Sequence, residues 1–131
     1  MWMDLDPSSG IPLYLQIIVG FRRGLVAGTI QPGDRLPSVR ELAAELIVSP
    51  NTVARAYREL EGDGLILTRQ GRGTFVSERI PPVVDTEIER LLEPELTELL
   101  ARAQMLGIGR ETLISLIGER LREEDGEADG N

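Results

Sequence analysis

The sequence predicts an α+β fold, mostly α, and three observations in the 131-residue chain predict it. Two short amphipathic patterns between residues 38 and 61, each opened by a serine, are joined by a tight turn. A glycine-rich turn, Gln70-Gly71-Arg72-Gly73, then lies between apolar runs. Beyond Pro81-Pro82, apolar residues recur at three- and four-residue steps. The first two describe an N-terminal winged helix-turn-helix, a frame that lays one helix in the major groove of DNA. The third describes a short C-terminal two-helix dimerisation element. The expected division is an N-terminal extension at 1–10, the winged helix-turn-helix at 11–78 and a linker at 79–84. A helical dimerisation tail at 85–122 and a disordered acidic end at 123–131 complete it.

Each element has its own signal. Pro12 suits the first turn of a helix over residues 13–27, where its missing N–H costs nothing. Tyr14, Ile17, Ile18, Phe21 and Leu25 give that helix one apolar face, and Gly28 suits its end. Ser38 and Glu41 form an S-x-x-E capping box that starts a second helix, with Val39, Leu42, Ala43 and Leu46 inward. Ser49-Pro50 starts a third, whose stripe is Val53, Ala56, Tyr57 and Leu60 and which stops at Gly62 and Gly64. Residues 65–69 and 74–76 read as two strands joined by the glycine-rich hairpin. Pro81-Pro82 breaks any helix and marks the linker. Ile88, Leu92, Leu96, Leu99, Leu100, Ala103 and Leu106 then describe a long helix, broken or started at Pro94 and ended by Gly107. A last helix over 110–122 carries Leu113, Ile114, Ile117 and Leu121 on one face. The end, EEDGEADGN, has hardly an apolar residue and reads as disordered.

Composition narrows the chemistry. Cysteine and histidine are both absent, which excludes disulfides, thiolate or imidazole metal sites and an imidazole base. No cofactor is expected, and no enzyme. No apolar run approaches the ~18 residues of a membrane helix, and the first ten residues lack a basic signal-peptide region, so the cytoplasm is the expected compartment. The net charge of −8 argues against nucleic acid until its distribution is read. Residues 11–76 hold eight Arg against six acids, whereas 77–131 hold six Arg against fourteen. A mildly basic half joined to an acidic half suits a DNA reader joined to an assembly element that repels DNA.

The third helix is two-faced. Opposite its apolar stripe it presents Asn51, Thr52, Arg55 and Arg58. Arg forks onto guanine, Asn pairs with adenine, and Thr meets a phosphate or a thymine methyl. Arg40, on the first turn of the second helix, joins them, with Ser38 and Ser49 as phosphate donors beside helix N-termini. The wing candidates are Gln70, Gly71, Arg72 and Gly73, with Arg72 at the tip reaching a phosphate or the minor groove. Taken singly each has a plainer reading: an outer-face Arg is usually solvated, and a Gly-Arg-Gly turn can be only a turn. The combination carries the weight. The expected dimer interface is Leu92, Leu96, Leu99, Leu100, Ala103, Leu106, Leu113, Ile114, Ile117 and Leu121. The same stripes could instead fold back on the winged domain.

Four motifs in this order resemble the GntR family of bacterial transcription regulators. They are P-L-Y-x-Q-I at 12–17, I-x-P-G-D-R-L-P-S-x-R-E-L-A at 30–43, V-S-P-N-T-V-x-R-A-Y-x-x-L-E-x-D-G-L-I at 48–66 and G-R-G-T-F-V at 71–76. The resemblance implies DNA contacts from Ser38, Arg40, Ser49, Asn51, Thr52, Arg55 and the wing at 71–73. Pro50 and Ala54 stand where other members carry Arg, so no operator sequence carries over. The short tail, with E-L-x-x-L-L-x-x-A-x-x-L-G at 95–107, is similar to the YtrA-like subfamily. Gly109-Arg110 departs from the Ser or Thr helix cap more usual there. That subfamily implies a tail that dimerises the protein and genes that often accompany membrane transporters. The expected protein is a homodimer on a double-stranded, inverted-repeat DNA operator, a repressor rather than an activator. An effector is left unidentified. The rival readings are a winged-helix protein-interaction module and an architectural DNA protein without sequence preference.

Overall fold

Serine hydroxyls start both helices at the centre of the chain. In a computed structural model, which describes residues 3–82 and 87–129 with side chains to 126, Ser38 Oγ accepts from Glu41 N–H at 3.1 Å. The Glu41 carboxylate accepts in return from Ser38 N–H at 3.3 Å, completing the capping box of α2 (Val39–Leu46). Ser49 Oγ accepts from Thr52 N–H at 3.4 Å and opens α3 (Pro50–Gly62), with Pro50 in its first turn. Between them Ile47 ends α2 in the left-handed region, φ 58°.

The core lies where α1 (Leu13–Ala27) and α2 pack on α3. Phe21, Ile17, Leu42, Leu60, Val53 and Val76 are its fully buried side chains. Burying each of the larger ones stabilises the fold by about 1.5–3 kcal/mol. The Tyr57 hydroxyl donates to Pro37 C=O at 2.6 Å and fixes α3 against the chain entering α2. Burial, then the Glu41 and Glu45 charges, push its pKa well above the usual tyrosine value.

Beside the helices lies a three-stranded antiparallel sheet in the order β1-β3-β2. The wing hairpin is β2 (Ile66–Arg69) and β3 (Gly73–Val76), with Leu67 opposite Phe75 and Arg69 opposite Gly73. The third strand, β1 (Arg35–Leu36), is absent from the sequence reading, because two residues carry no periodicity of their own. It exists through pairing with Thr74 and Phe75. Ser77 closes the wing: its N–H donates to Leu65 C=O and its hydroxyl to Gly64 C=O.

The N-terminal residues are built into this unit rather than extending from it. Met3 is buried, seated on Gly20, where a Cβ would lie 2.6 Å from the Met3 Cβ. Gln16 holds the segment. Its side-chain oxygen accepts from Asp6 N–H at 2.7 Å. Its side-chain nitrogen lies within 3.0 Å of Asp6 C=O, Ser9 Oγ and Ile11 C=O. Asp6 caps a 3-10 turn (Pro7–Ser9), and the Ser8 hydroxyl and N–H hold its carboxyl below the usual range.

The chain divides into two units, residues 1–88 and 89–131. A short α4 (Glu87–Arg90) precedes α5 (Glu93–Met105), whose first turn holds Pro94, and α6 (Arg110–Asp129) follows. The sequence reading ends the last helix at 122 and expects disorder beyond it; the helix runs on to Asp129. Leu, Glu and Arg, all good helix formers, dominate 119–124, and Arg120 and Glu124 approach to 3.6 Å one turn apart. Residues 1–2, the end of the linker and start of the tail at 83–86, and 130–131 lie outside the described residues.

Candidate nucleic-acid interface

One face of α3 is spent on the core and the other is open. Val53, Ala56, Tyr57 and Leu60 are buried, whereas Asn51, Arg55 and Arg58 are exposed and Thr52 is half-buried. Ser38, Arg40 and Ser49 are exposed near the helix starts, and Gln70, Gly71 and Arg72 are exposed at the wing turn, with Gly73 half-buried. Arg72 N–H donates to Arg69 C=O at 2.9 Å, which tightens that turn. Gly71, at φ 76°, supplies the left-handed residue it needs.

Ser38 and Ser49 each spend an oxygen lone pair on a cap. Both hydroxyl hydrogens are still free of that duty and can be donated to a phosphate oxygen. Each serine therefore starts a helix and stands at its N-terminus, where the helix dipole favours an anion.

Arg55 is placed differently from the other outer-face residues. Its guanidinium carbon lies 3.8 Å from the centre of the Tyr14 ring, at the N-terminal end of α1. Tyr14 is buried, and its hydroxyl donates to a Glu87 carboxylate oxygen at 2.7 Å. That hydrogen bond, then burial, raises the Tyr14 pKa, with the Arg55 charge opposing. The sequence reading gives Tyr14 only a core role, because its partners are distant in the chain.

Two further arginines belong to the wing and are missing from the sequence reading. Arg35, exposed on β1, lies against Gly73: a Cβ on that glycine would be 3.1 Å from Arg35 Nε. Arg69 sits over the Phe75 ring at 5.8 Å. With Arg72 in the turn between β2 and β3, they give the small sheet and its hairpin three arginines. Strand register sets Arg35 opposite Phe75 and Arg69 opposite Gly73, and no local pattern announces it.

The tail residues divide. Leu92, Leu96, Leu99, Leu100, Leu106, Ile114, Ile117 and Leu121 are exposed, Leu113 is half-buried, and Leu91, Met105 and Leu116 are exposed as well. Ala103 is already buried within the single chain. Among the described residues, no cluster of three or more acidic side chains is arranged to hold a metal ion, and no helix is long and apolar enough to cross a membrane.

A family model described as bacterial regulatory proteins, gntR family, matches residues 13–76. The HTH-type transcriptional repressor YtrA of Bacillus subtilis (strain 168) is 40% identical over 117 residues, covering 89% of this chain and 90% of that protein. YtrA from Sulfolobus acidocaldarius, a GntR-family transcription factor, superposes with a TM-score of 0.57 at 29% identity, covering 92% of this chain and 97% of that one. The DNA-binding domain of AraR in complex with operator ORX1 superposes with a TM-score of 0.51 at 31% identity, over 57% of this chain and 93% of that one. The similarity to the Bacillus protein runs past the wing into the tail helices, so it covers the whole arrangement and not the reader alone.

Proposed function

Because this chain belongs to the GntR family of bacterial regulatory proteins and is a DNA-binding transcription regulator, we propose that it is a cytoplasmic homodimeric repressor acting on an inverted-repeat operator. The observation that carries this reading is α3: a doubly committed helix, its apolar face buried and its polar face, Asn51 with Arg55 and Arg58, open beside a wing tipped by Arg72. Each protomer lays α3 in a major groove, where Asn51 and Arg55 meet base edges. Ser38, Arg40, Ser49 and Thr52 contact the flanking phosphates, and the wing (Gln70, Gly71, Arg72, Gly73) rests on the adjacent backbone. AraR, whose DNA-binding domain has the same fold, is seen on operator DNA, which supports this docking.

Two considerations support the dimer. Leu92 and Leu100 are each 58% exposed and Leu106 is 68% exposed, an apolar surface that a lone soluble chain rarely leaves in water. Symmetric pairing is the commonest way to cover such a surface. A two-fold dimer then sets the target: two half-sites in inverted orientation, about one helical turn apart. Repression follows by blocking polymerase, and the name of the 40%-identical Bacillus protein supports that sign. Transporter genes are the proposed targets, and an effector is not assigned.

The test is fluorescence anisotropy of the full chain on duplexes from its own promoter region, with random competitor, over a salt series. Competitor-resistant binding that weakens steeply with salt is expected. Binding abolished by competitor points to an architectural protein, and no binding at low salt to a protein-interaction module.

A further inference from the structure

We propose that Tyr14 is a positioning residue for DNA recognition, its ring holding the Arg55 guanidinium in the place from which Arg55 contacts the operator. The proposal rests on α3 being the reading helix and goes beyond it, because it assigns a recognition role to a buried residue of α1.

The geometry is specific. The Arg55 guanidinium carbon stands 3.8 Å from the Tyr14 ring centre, well inside the range at which a cation is held by an aromatic face. Arg55 itself is exposed, whereas Tyr14 is buried, at 7% exposure. The ring is therefore a fixed platform, and the long arginine is the part that must be ordered. An unheld arginine loses much rotamer freedom when it docks on a base; one already seated on a ring loses less.

The platform is itself held. Tyr14 donates its hydroxyl to Glu87 at 2.7 Å, which fixes the ring edge and keeps the phenol protonated. Sharing that proton with a carboxylate enriches the ring in electron density, which strengthens the attraction for the guanidinium above it. Glu87 brings a negative charge to the same place, so the ring, its hydrogen-bond acceptor and the cation form one ordered stack. Neither Tyr14 nor Glu87 needs to touch DNA.

The rival account is that Tyr14 simply packs α1 on α3. A double-mutant cycle separates the two. Affinity of the full chain is measured by anisotropy on the promoter duplex and on a random duplex for the wild type, Tyr14→Leu, Arg55→Ala and the double variant. Tyr14→Leu is expected to weaken promoter binding about two- to fivefold and to cost nothing further once Arg55 is absent. Tyr14→Phe keeps the ring and is expected to recover most of the loss. Equal cost of Tyr14→Leu with and without Arg55 overturns the proposal, and so does a gain in promoter affinity, which would mean that Tyr14 sequesters Arg55. Arg55→Ala without effect on promoter binding overturns the recognition role of Arg55 itself, and the proposal with it. If Tyr14→Leu does not fold, the cycle is run from the exposed end with Glu87→Ala. The Arg55→Ala background then subtracts the general effect of removing a negative charge near DNA. A loss that needs Arg55 supports the stack, and one independent of Arg55 overturns it.

Discussion

Ile47 shows how much a single residue can carry in a tight turn. It has φ 58° and ψ 52°, a left-handed conformation that crowds a β-branched side chain, and its side chain is 90% exposed. Its N–H still donates to Ala43 C=O, so the backbone needs the conformation while the side chain buries little. Ile47→Gly is expected to stabilise the protein by about 0.5–1 kcal/mol and raise the thermal midpoint by a few degrees in a circular-dichroism melt. A lower midpoint would show that the side chain supports the turn. Arg72 acts at the same scale in function. Arg72→Ala is expected to weaken promoter and random duplexes alike and to lower the salt-dependence slope by about 1, as loss of one phosphate contact does. A loss confined to the promoter duplex would make Arg72 a base reader instead.

At the scale of elements, local chemistry was read well and distant chemistry was not. The starts of α2 and α3 were legible because a serine, a following proline or a Glu three residues on acts within one turn. Ser38→Ala should therefore destabilise the protein by about 1 kcal/mol, read from a denaturant midpoint with unchanged slope. An unchanged midpoint would mean that the cap is replaced by water. The wing strands were legible from the glycine turn, but β1 was not, since only its pairing with Thr74 and Phe75 makes it a strand. The outer face of α3 was legible from helical spacing; the Tyr14 platform beneath Arg55 was not, because α1 and α3 meet only in the folded chain. Helix beyond residue 122 is not legible from acidic composition, because Glu and Arg are good helix formers whatever their charge.

The whole molecule is acidic, and its charge is unevenly spread, with eight Arg against six acids over residues 11–76. Residues 77–131 hold six Arg against fourteen acids, so the acidic excess lies in the tail, and the proposed dimer keeps assembly and DNA contact on separate parts of the sequence. Leu99, on α5 and 41% exposed, lies in the middle of the apolar stripe. Leu99→Asp is expected to convert a dimer to a monomer in sedimentation equilibrium, with promoter affinity falling as the second half-site is lost. A variant that still sediments as a dimer would move the interface away from α5. The seat of Met3 on Gly20, and the Gln16 bonds that hold the chain between them, set where the molecule can be cut. A fragment begun at Ile11 would bare the surface of α1 beneath Met3 and leave the Gln16 amide with the Ile11 carbonyl alone, its Asp6 and Ser9 partners gone. One begun ahead of Met3 and carried through Ile88 keeps Met3 on Gly20, every partner of Gln16 and the Glu87 support of Tyr14 in a single piece.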